Sequence, residues 1–447
     1  MSSSGIDDAA TVLPLSAGSA GELRELMGSY LDLARRTHGQ PSFSELCRTA
    51  GRAPAGAHRA GFVAGDYPEL AERLAEAIAA PAPEPPAAPG GLAFVFAGQG
   101  SQWTGMGRRL LATEPVFHAA LHECDRAMRA HVDFSVVDQL TRDDSRLQEI
   151  DVLQPTMVSL QIAFAALWRS WGIQPDAVVG HSMGEIAAAH VAGALSLADA
   201  AAVACRRSAL LRRITGKGAL AVTELSQSAA RELVAGTGGK VAVAGSNSPV
   251  STVLAGDAHS LGELERVLGE RDVYCKLIRN TVASHSHYVD ELRDDLHRAL
   301  AGLRPGRADV PIYSTATARR LEGPEITAEY WMSNLREPVR FADAVGMLRA
   351  DGHRTFLEIS PHPVLLSAVR QCLADDDAPS STLPSGRRDA ERSAVLDSLR
   401  GLFELGHAPD WRSVHRDGCA TGAASRASVR SLTPYQSAVR DAVFAAR

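Results

Sequence analysis

Residues 180–184 read GHSMG, a serine held between two glycines where the apolar run DAVVG (176–180) gives way to the small-residue stretch EIAAAHVAG. Glycines at these positions permit a sharp strand-to-helix turn that leaves the Ser182 hydroxyl exposed at a helix N-terminus. There the free amides and the helix dipole favour the negative charge that develops when a carbonyl is attacked. A G-x-S-x-G match alone is a weak signal, and the flanking elements are what give it weight. A serine nucleophile also needs a base. The candidates are His285 and His287 in TVASHSHYVD (281–290), which share one face if that segment is extended. H-x-H is also half a metal site, but no further histidine or carboxylate stands at ligand spacing. A third stretch, FAGQGSQWTGMG (96–107), is glycine-rich and follows a strand. It lacks the G-K-[ST] ending of a phosphate loop and does not match G-x-G-x-x-G. The other reading is a loop whose amides face the serine and complete an oxyanion hole.

The elements that must position these residues are legible around them. LAFVFAG (92–98) and DAVVG (176–180) read as strands buried on both faces, and PTMVSLQIAFAALWRSWG (155–172) as the helix between them. Strand, helix, strand in this order predicts a parallel sheet with crossover helices. LAVTEL (220–225), a helix near 227–235, KVAVAG (240–245), STVLAG (251–256), a helix near 259–270 and VYCKLIR (273–279) then give β-α-β-β-α-β. That is a ferredoxin-like order, expected as an inserted small subdomain. The main sheet resumes with PIYSTAT (311–317) and TFLEIS (355–360).

The proline-rich stretch PAPEPPAAPG (81–90) sets off the first residues as a separate small α/β module, with a helix at 22–36, a strand at 58–65 and a helix in YPELAERLAEAIA. From 376 the chain turns polar and proline-bearing, which predicts a linker with one more helix and a tail. The expected fold is α/β. It comprises a linker module (1–90), an α/β-hydrolase-like parallel core in two parts (91–219 and 283–375), the ferredoxin-like insert (220–282) and a C-terminal linker (376–447).

Composition narrows the function. In 447 residues, 45% are hydrophobic and 22% charged, with a net charge of -6 and scattered arginines, which argues against a nucleic-acid partner. Six cysteines with no C-x-x-C pair suit reduced thiols, and no zinc site or disulfide framework is expected. No run approaches the roughly 18 apolar residues of a membrane span, and MSSSGIDDAA has no signal-peptide pattern. The expectation is a cytoplasmic protein with no membrane partner.

Taken together, FVFAGQGSQWTGMG, QPTMVSLQIAFAALWRSWGIQPDAVVGHSMGEIAAAHVAGALSL, VASHS, YWMSNLREPVRF (330–341) and FLEISPHPVL (356–365) resemble the acyltransferase domain of modular polyketide synthases. That family is related to malonyl-CoA:acyl carrier protein transacylase, and the motifs run in family order over roughly 92–375. The flanks look like the linkers around such domains, although SLTPYQSAVRDAVFAAR departs from the usual proline- and aromatic-rich end.

The resemblance implies that Ser182 is the nucleophile and His285 its base, with the imidazole held by the main-chain carbonyl of Asn334. It implies an oxyanion hole from the amides of Gln99 and Met183, and Gln154 near the acyl pocket. Arg207 would bind the free carboxylate of a malonyl-type substrate. Arg206, about 100° round the same helix, would then face away. No permanent cofactor is implied. Acyl-CoA is the donor, the phosphopantetheine of an acyl carrier protein the acceptor, and a ketosynthase the neighbouring domain.

Family members selective for malonyl tend to carry H-A-F-H, and those selective for methylmalonyl Y-A-S-H. Here Val282 to His285 read V-A-S-H. Ser284 in place of phenylalanine, Val282 in place of tyrosine and Met183 in place of the glutamine common in methylmalonyl domains imply room for an α-substituent larger than methyl. Two rivals stand beside this reading. A serine esterase or thioesterase of the α/β-hydrolase type needs an acid between serine and histidine, where Asp257 and Asp272 are available. A non-catalytic docking scaffold would work through its flanking linkers.

Overall fold

A computed structural model describes residues 10–81, 90–278, 282–374, 376 and 378–415. Most of the proline-rich spacer, Cys419 and the final tail lie outside these described residues.

The site hangs on a six-stranded sheet. Its spatial order is β10 (Arg319–Leu321), β9 (Ile312–Ser314), β4 (Ala177–Gly180), β3 (Gly91–Phe96), β12 (His353–Ile359) and β13 (Ser381–Pro384). All neighbours are parallel except β10 and β9. The apolar run of β3 is explained by its two buried faces. Leu92, Phe94 and Phe96 enter the apolar cluster on one side, and Ala93 and Val95 the cluster on the other. The helices Ile150–Ser170, Gly184–Val191 and Leu197–Arg212 cover the first side, and Phe341–Ala350 and Leu366–Cys372 the second.

The helix Ile150–Ser170 starts five residues earlier than its proline suggests, leaving Pro155 inside it. Proline removes one main-chain donor there, and burial of Val152 and Leu153 ahead of it outweighs that loss. This helix also corrects the expectation that no segment approaches a membrane span: by length and composition it qualifies, with a mean hydropathy of 1.4 over an 18-residue window. It is packed inside the protein, with that window 83% buried.

The inserted segment folds as the periodicity predicts. β5 (Ala219–Thr223), β6 (Val241–Ser248), β7 (Ser251–Gly256) and β8 (Cys275–Ile278) pair antiparallel in the order β6-β7-β5-β8, with helices Gln227–Ala235 and Ala258–Gly269 between them. The sheet also gains a strand from outside the insert: β11 (Val339–Arg340) pairs parallel to β6. The small subdomain is therefore stitched to the main chain beyond its own two connections.

The polar C-terminal segment is more than a linker. Ser381–Pro384 forms β13, an edge strand half-buried along its length, so it lacks the apolar pattern that marks an inner strand. The helix Glu391–Glu404 then packs on the first module. There β1 (Thr11–Ala17) and β2 (His58–Ala64) form an antiparallel pair under the helices Ala20–Ala34, Phe43–Ala50 and Tyr67–Ala79. Pro14 within TVLPLSA hides β1 from a sequence reading. Gly61 of β2 donates its N–H to Glu404 Oε1 at 3.0 Å, and a Cβ there would lie 2.6 Å from Arg400 Cγ.

Glycine is required at the serine turn. A Cβ on Gly184 would sit 2.2 Å from the Phe96 carbonyl oxygen, and one on Gly180 2.3 Å from the Glu185 nitrogen. Backbone cannot yield as a side chain can. Gly184→Ala is expected to cost about 2–3 kcal/mol or more, by the scale of overpacked cores. Its melting temperature checks this, and an unchanged melting point would show that strand and helix are not packed backbone to backbone.

Candidate active site

The chain leaves β4 at Gly180 and enters the helix Gly184–Val191 through Ser182, which adopts φ 52°, a left-handed conformation unusual for a residue with a Cβ. Strain of this kind costs about 1–3 kcal/mol and persists only where neighbours over-determine it. Here they do. The Ser182 carbonyl accepts from the Glu185 N–H at 3.1 Å and from Asn334 Nδ2 at 3.1 Å. Asn334 in turn donates to Glu185 Oε2 at 3.0 Å. Glu185 is 2% exposed, and its other donors are Tyr330 Oη, the Thr315 N–H at 2.6 Å and Thr315 Oγ1 at 2.7 Å. Burial pushes this carboxyl above its ordinary pKa, and the four donors oppose that shift. Sequence reasoning passed over Glu185. Its signal was an acid in an otherwise apolar helix, three residues after the serine.

His285 reaches the serine from 103 residues away. Its Nε2 lies 2.8 Å from Ser182 Oγ. It too is left-handed, at φ 60°, with its N–H bonded to the Leu335 carbonyl at 2.9 Å. Its Nδ1 meets a main-chain carbonyl at 2.9 Å, but the carbonyl belongs to Glu337, which corrects the expectation for Asn334. The cause is local. Pro338 keeps Glu337 out of the helical region, so the helix Ala328–Arg336 stops and Glu337 turns extended at ψ 154°, freeing its carbonyl. Asn334, still inside the helix, acts through its side chain instead.

A carbonyl can only accept, so Nδ1 carries the proton and Nε2 presents its lone pair to the serine. Burial first, and the nearby Arg207 charge second, depress the His285 pKa to about 3. The imidazole is therefore neutral at ordinary pH. His287 does not share its face: it is exposed and stacks on Tyr288 at the start of the short helix His287–Leu292. No group of three metal-ligating side chains occurs among the described residues. Asp257 caps the helix Ala258–Gly269 and Asp272 lies in the left-handed turn after it, so neither serves His285.

Arg207 enters from the helix Leu197–Arg212 and is 1% exposed. Its Nη1 donates to Gln154 Oε1 at 2.8 Å, and its Nη2 stands 3.4 Å from Ser182 Oγ. Its buried Nε has no partner, and no ion pair holds the guanidinium among the described residues. Burial lowers its pKa to about 10. Arg206 points outward and binds the Ala299 carbonyl, as the helix geometry requires.

The main-chain N–H groups of Gln99 and Met183 likewise have no hydrogen-bond partner among the described residues. Met183 begins the helix after the serine. Gln99 lies on the exposed loop after β3, whose base is fixed by Gln161 Nε2 donating to the Ala97 carbonyl at 2.6 Å. Val282 and Met183 are buried in the same apolar cluster, and Ser284, beside His285, is half-buried. A further contact that the sequence did not suggest links the two subdomains: His181 Nε2 lies 2.9 Å from Asn247 Oδ1 on β6.

Residues 93–407 match the family model of the acyl transferase domain. Relatives include a mycocerosic acid synthase-like polyketide synthase of Mycobacterium tuberculosis, 39% identical over 92% of this chain. Another is erythronolide synthase EryA3 of Saccharopolyspora erythraea, 41% identical over 80% of the chain. The chain spans only 20% and 11% of those two proteins. Among solved structures, the acyltransferase domain from module 8 of the salinomycin polyketide synthase is 36% identical, with a TM-score of 0.85 over 91% of this chain and 98% of that one. The acyltransferase domain of SpnD, in complex with 2-(pent-4-yn-1-yl)malonyl, is 27% identical, with a TM-score of 0.79 over 92% of this chain and 98% of that one. Fold, motif order and these likenesses agree: the chain belongs to the acyltransferase domains of polyketide synthases.

Proposed function

We propose that this domain loads an α-substituted malonyl-type acyl group from CoA onto Ser182 and passes it to the phosphopantetheine thiol of an acyl carrier protein, beside a ketosynthase in a larger synthase. The observation that carries this reading is the buried Arg207 guanidinium 3.4 Å from the serine oxygen, with no carboxylate of its own. An uncompensated buried cation is costly, and a substrate carboxylate would neutralise it through charge-assisted hydrogen bonds.

In this reading His285 Nε2 takes the Ser182 proton as Oγ attacks the thioester carbonyl. The Gln99 and Met183 amides hold the oxyanion, and CoA leaves as its thiol on receiving the proton. The carrier thiol then attacks the acyl-serine ester by the same steps in reverse. Glu337 keeps Nδ1 protonated throughout, so a third carboxylate is not required. The half-buried Ser284 and the modest bulk of Val282 favour an α-substituent larger than methyl, and the likeness to a domain that holds a pentynylmalonyl group supports this. Such a pocket gains only about 1–3 kcal/mol per methylene, so selection among chain lengths is expected to be loose.

Ser182→Ala is expected to abolish acyl-enzyme formation by intact-mass analysis, and loading that survives would refute the assignment. Arg207→Ala is expected to depress loading of carboxylated donors at least tenfold more than of monocarboxylic ones, the scale of one lost charge-assisted pair. Equal losses would remove its role. Competition among malonyl-, methylmalonyl- and longer alkylmalonyl-CoA tests the pocket, and a clear malonyl preference would overturn the reading of Val282 and Ser284.

With His285 held near 3, the acid limb of the loading rate is expected well below the pH 6.5 of an ordinary histidine. Arg207→Gln removes a positive charge and is expected to move that limb upward. The same shift gives a stability change. The unfolded chain protonates His285 below about 6.5 and the folded chain only near 3, so the stability of the neutral ring is complete above 6.5 and is lost as pH falls toward 3.

A further inference from the structure

In a parallel sheet, ligands gather at the loops beyond the carboxyl ends of the strands. β4, β3, β12 and β13 are consecutive neighbours, and all four run in the same direction. The loops that follow them therefore stand side by side. The first holds Ser182 and the second Gln99. The third holds Pro361 and His362. The fourth, SGRRD (385–389), holds Arg387 and Arg388.

These loops touch. Trp103 Nε1 donates to the Pro361 carbonyl at 3.3 Å, and the Arg388 N–H donates to His362 Nδ1 at 3.2 Å. A Cβ on Gly386 would lie 2.8 Å from the carbonyl oxygens of Ser360 and Pro361, so the third and fourth loops meet backbone to backbone. Both are anchored from beneath. The buried Glu358 carboxylate accepts from the N–H groups of Val364, Leu365 and Leu366, and Ser385 Oγ accepts from Trp168 Nε1 at 2.8 Å.

Arg387 and Arg388 are exposed, and among the described residues neither guanidinium is engaged in an ion pair or a side-chain hydrogen bond. The neighbouring Asp389 is exposed and left-handed at φ 61°, and it pairs with neither. Both arginines lie close enough to His362 for their charges to add to the lowering of its pKa that burial begins. The fourth loop is a fixed, unneutralised cationic platform at the end of a row that starts with the nucleophile.

We propose that Arg387 and Arg388 bind the phosphate end of the pantetheine arm whose thioester or thiol reacts at Ser182. The inference rests on the acyltransferase reading above and adds a site to it. The distance is what selects this ligand. Three strand spacings separate β4 from β13, about 14 Å. A pantetheine arm has about thirteen bonds from sulfur to phosphorus, and at the reach per bond of an extended amide chain it spans about 15 Å. An arm lying across the exposed Gln99–Gly100 loop, with its sulfur at Ser182, brings its phosphate to the fourth loop. A pair of guanidiniums suits phosphate oxygens through paired charge-assisted hydrogen bonds.

The donor CoA and the acceptor phosphopantetheine share this chemistry, and two assays separate them. In the first, the double variant Arg387→Ala, Arg388→Ala is loaded from an alkylmalonyl-CoA and from the same acyl group on pantetheine, which has no phosphate. In the second, the preloaded acyl-enzyme is offered 4′-phosphopantetheine or pantetheine as the thiol. Each assay gives a ratio of kcat/KM, phosphorylated over unphosphorylated, that is expected to fall about tenfold in the variant, the scale of lost charge-assisted contacts. A fall in the first ratio assigns the site to the donor, a fall in the second to the acceptor, and a fall in both to each in turn. If both ratios match the unmutated protein, the proposal is overturned. A parent protein that does not load Ser182 at all would instead refute the acyltransferase reading beneath it.

Discussion

A guanidinium buried without a counter-charge is the constraint that organises this molecule. Removing Arg207 from water costs several kcal/mol, and no carboxylate pairs with it among the described residues. Glu185 is near enough to be felt electrostatically, yet its oxygens are taken by Tyr330, Thr315 and Asn334. The positive charge is therefore held in reserve beside the serine. It has a second effect, since its field reinforces the burial that keeps His285 neutral. One cation thus leaves an unmet positive charge beside the serine and keeps the neighbouring imidazole neutral.

Holding that arrangement requires two residues with side chains in the left-handed region, Ser182 and His285, facing each other across the site. Each is over-determined by main-chain bonds. The Asn334 amide and the helix that begins at Gly184 pin the serine, and the Leu335 and Glu337 carbonyls pin the histidine. All of these histidine and asparagine contacts come from one short stretch, 334–337, where the helix Ala328–Arg336 is stopped by Pro338. Two residues later the chain becomes β11 and joins the small sheet. With the His181–Asn247 bond, this fixes the ferredoxin-like subdomain to the segments that carry Ser182 and hold His285 at two points. The insert is thereby part of the site's geometry, although it supplies neither Ser182 nor His285.

Inner elements were readable because burial leaves a period. The strands 92–98, 176–180 and 251–256 appear within two residues of where apolar spacing puts them, and the helix read at 155–172 appears with an earlier start. Two edge strands were not readable, because such a strand is half wet and has a companion on only one side. Ser381–Pro384 looked like linker, and Thr11–Ala17 was masked by Pro14. The site followed the same division. Ser182 was marked by glycines that no other residue can replace. Glu185 went unread because its apolar surroundings hint at burial, while the four donors that hold it come from Thr315, Tyr330 and Asn334, far along the chain.

By itself the sequence determined which chemical groups are available and the order in which the elements carrying them form, since glycine turns, caps and apolar periodicity act over a few residues. Only the tertiary structure decided which carbonyl holds His285 and which half-polar segment completes the sheet. Those outcomes depend on contacts between residues roughly 50 to 200 positions apart, as at His285–Glu337, Ser182–His285 and Trp168–Ser385, and such contacts exist only once the layers have packed.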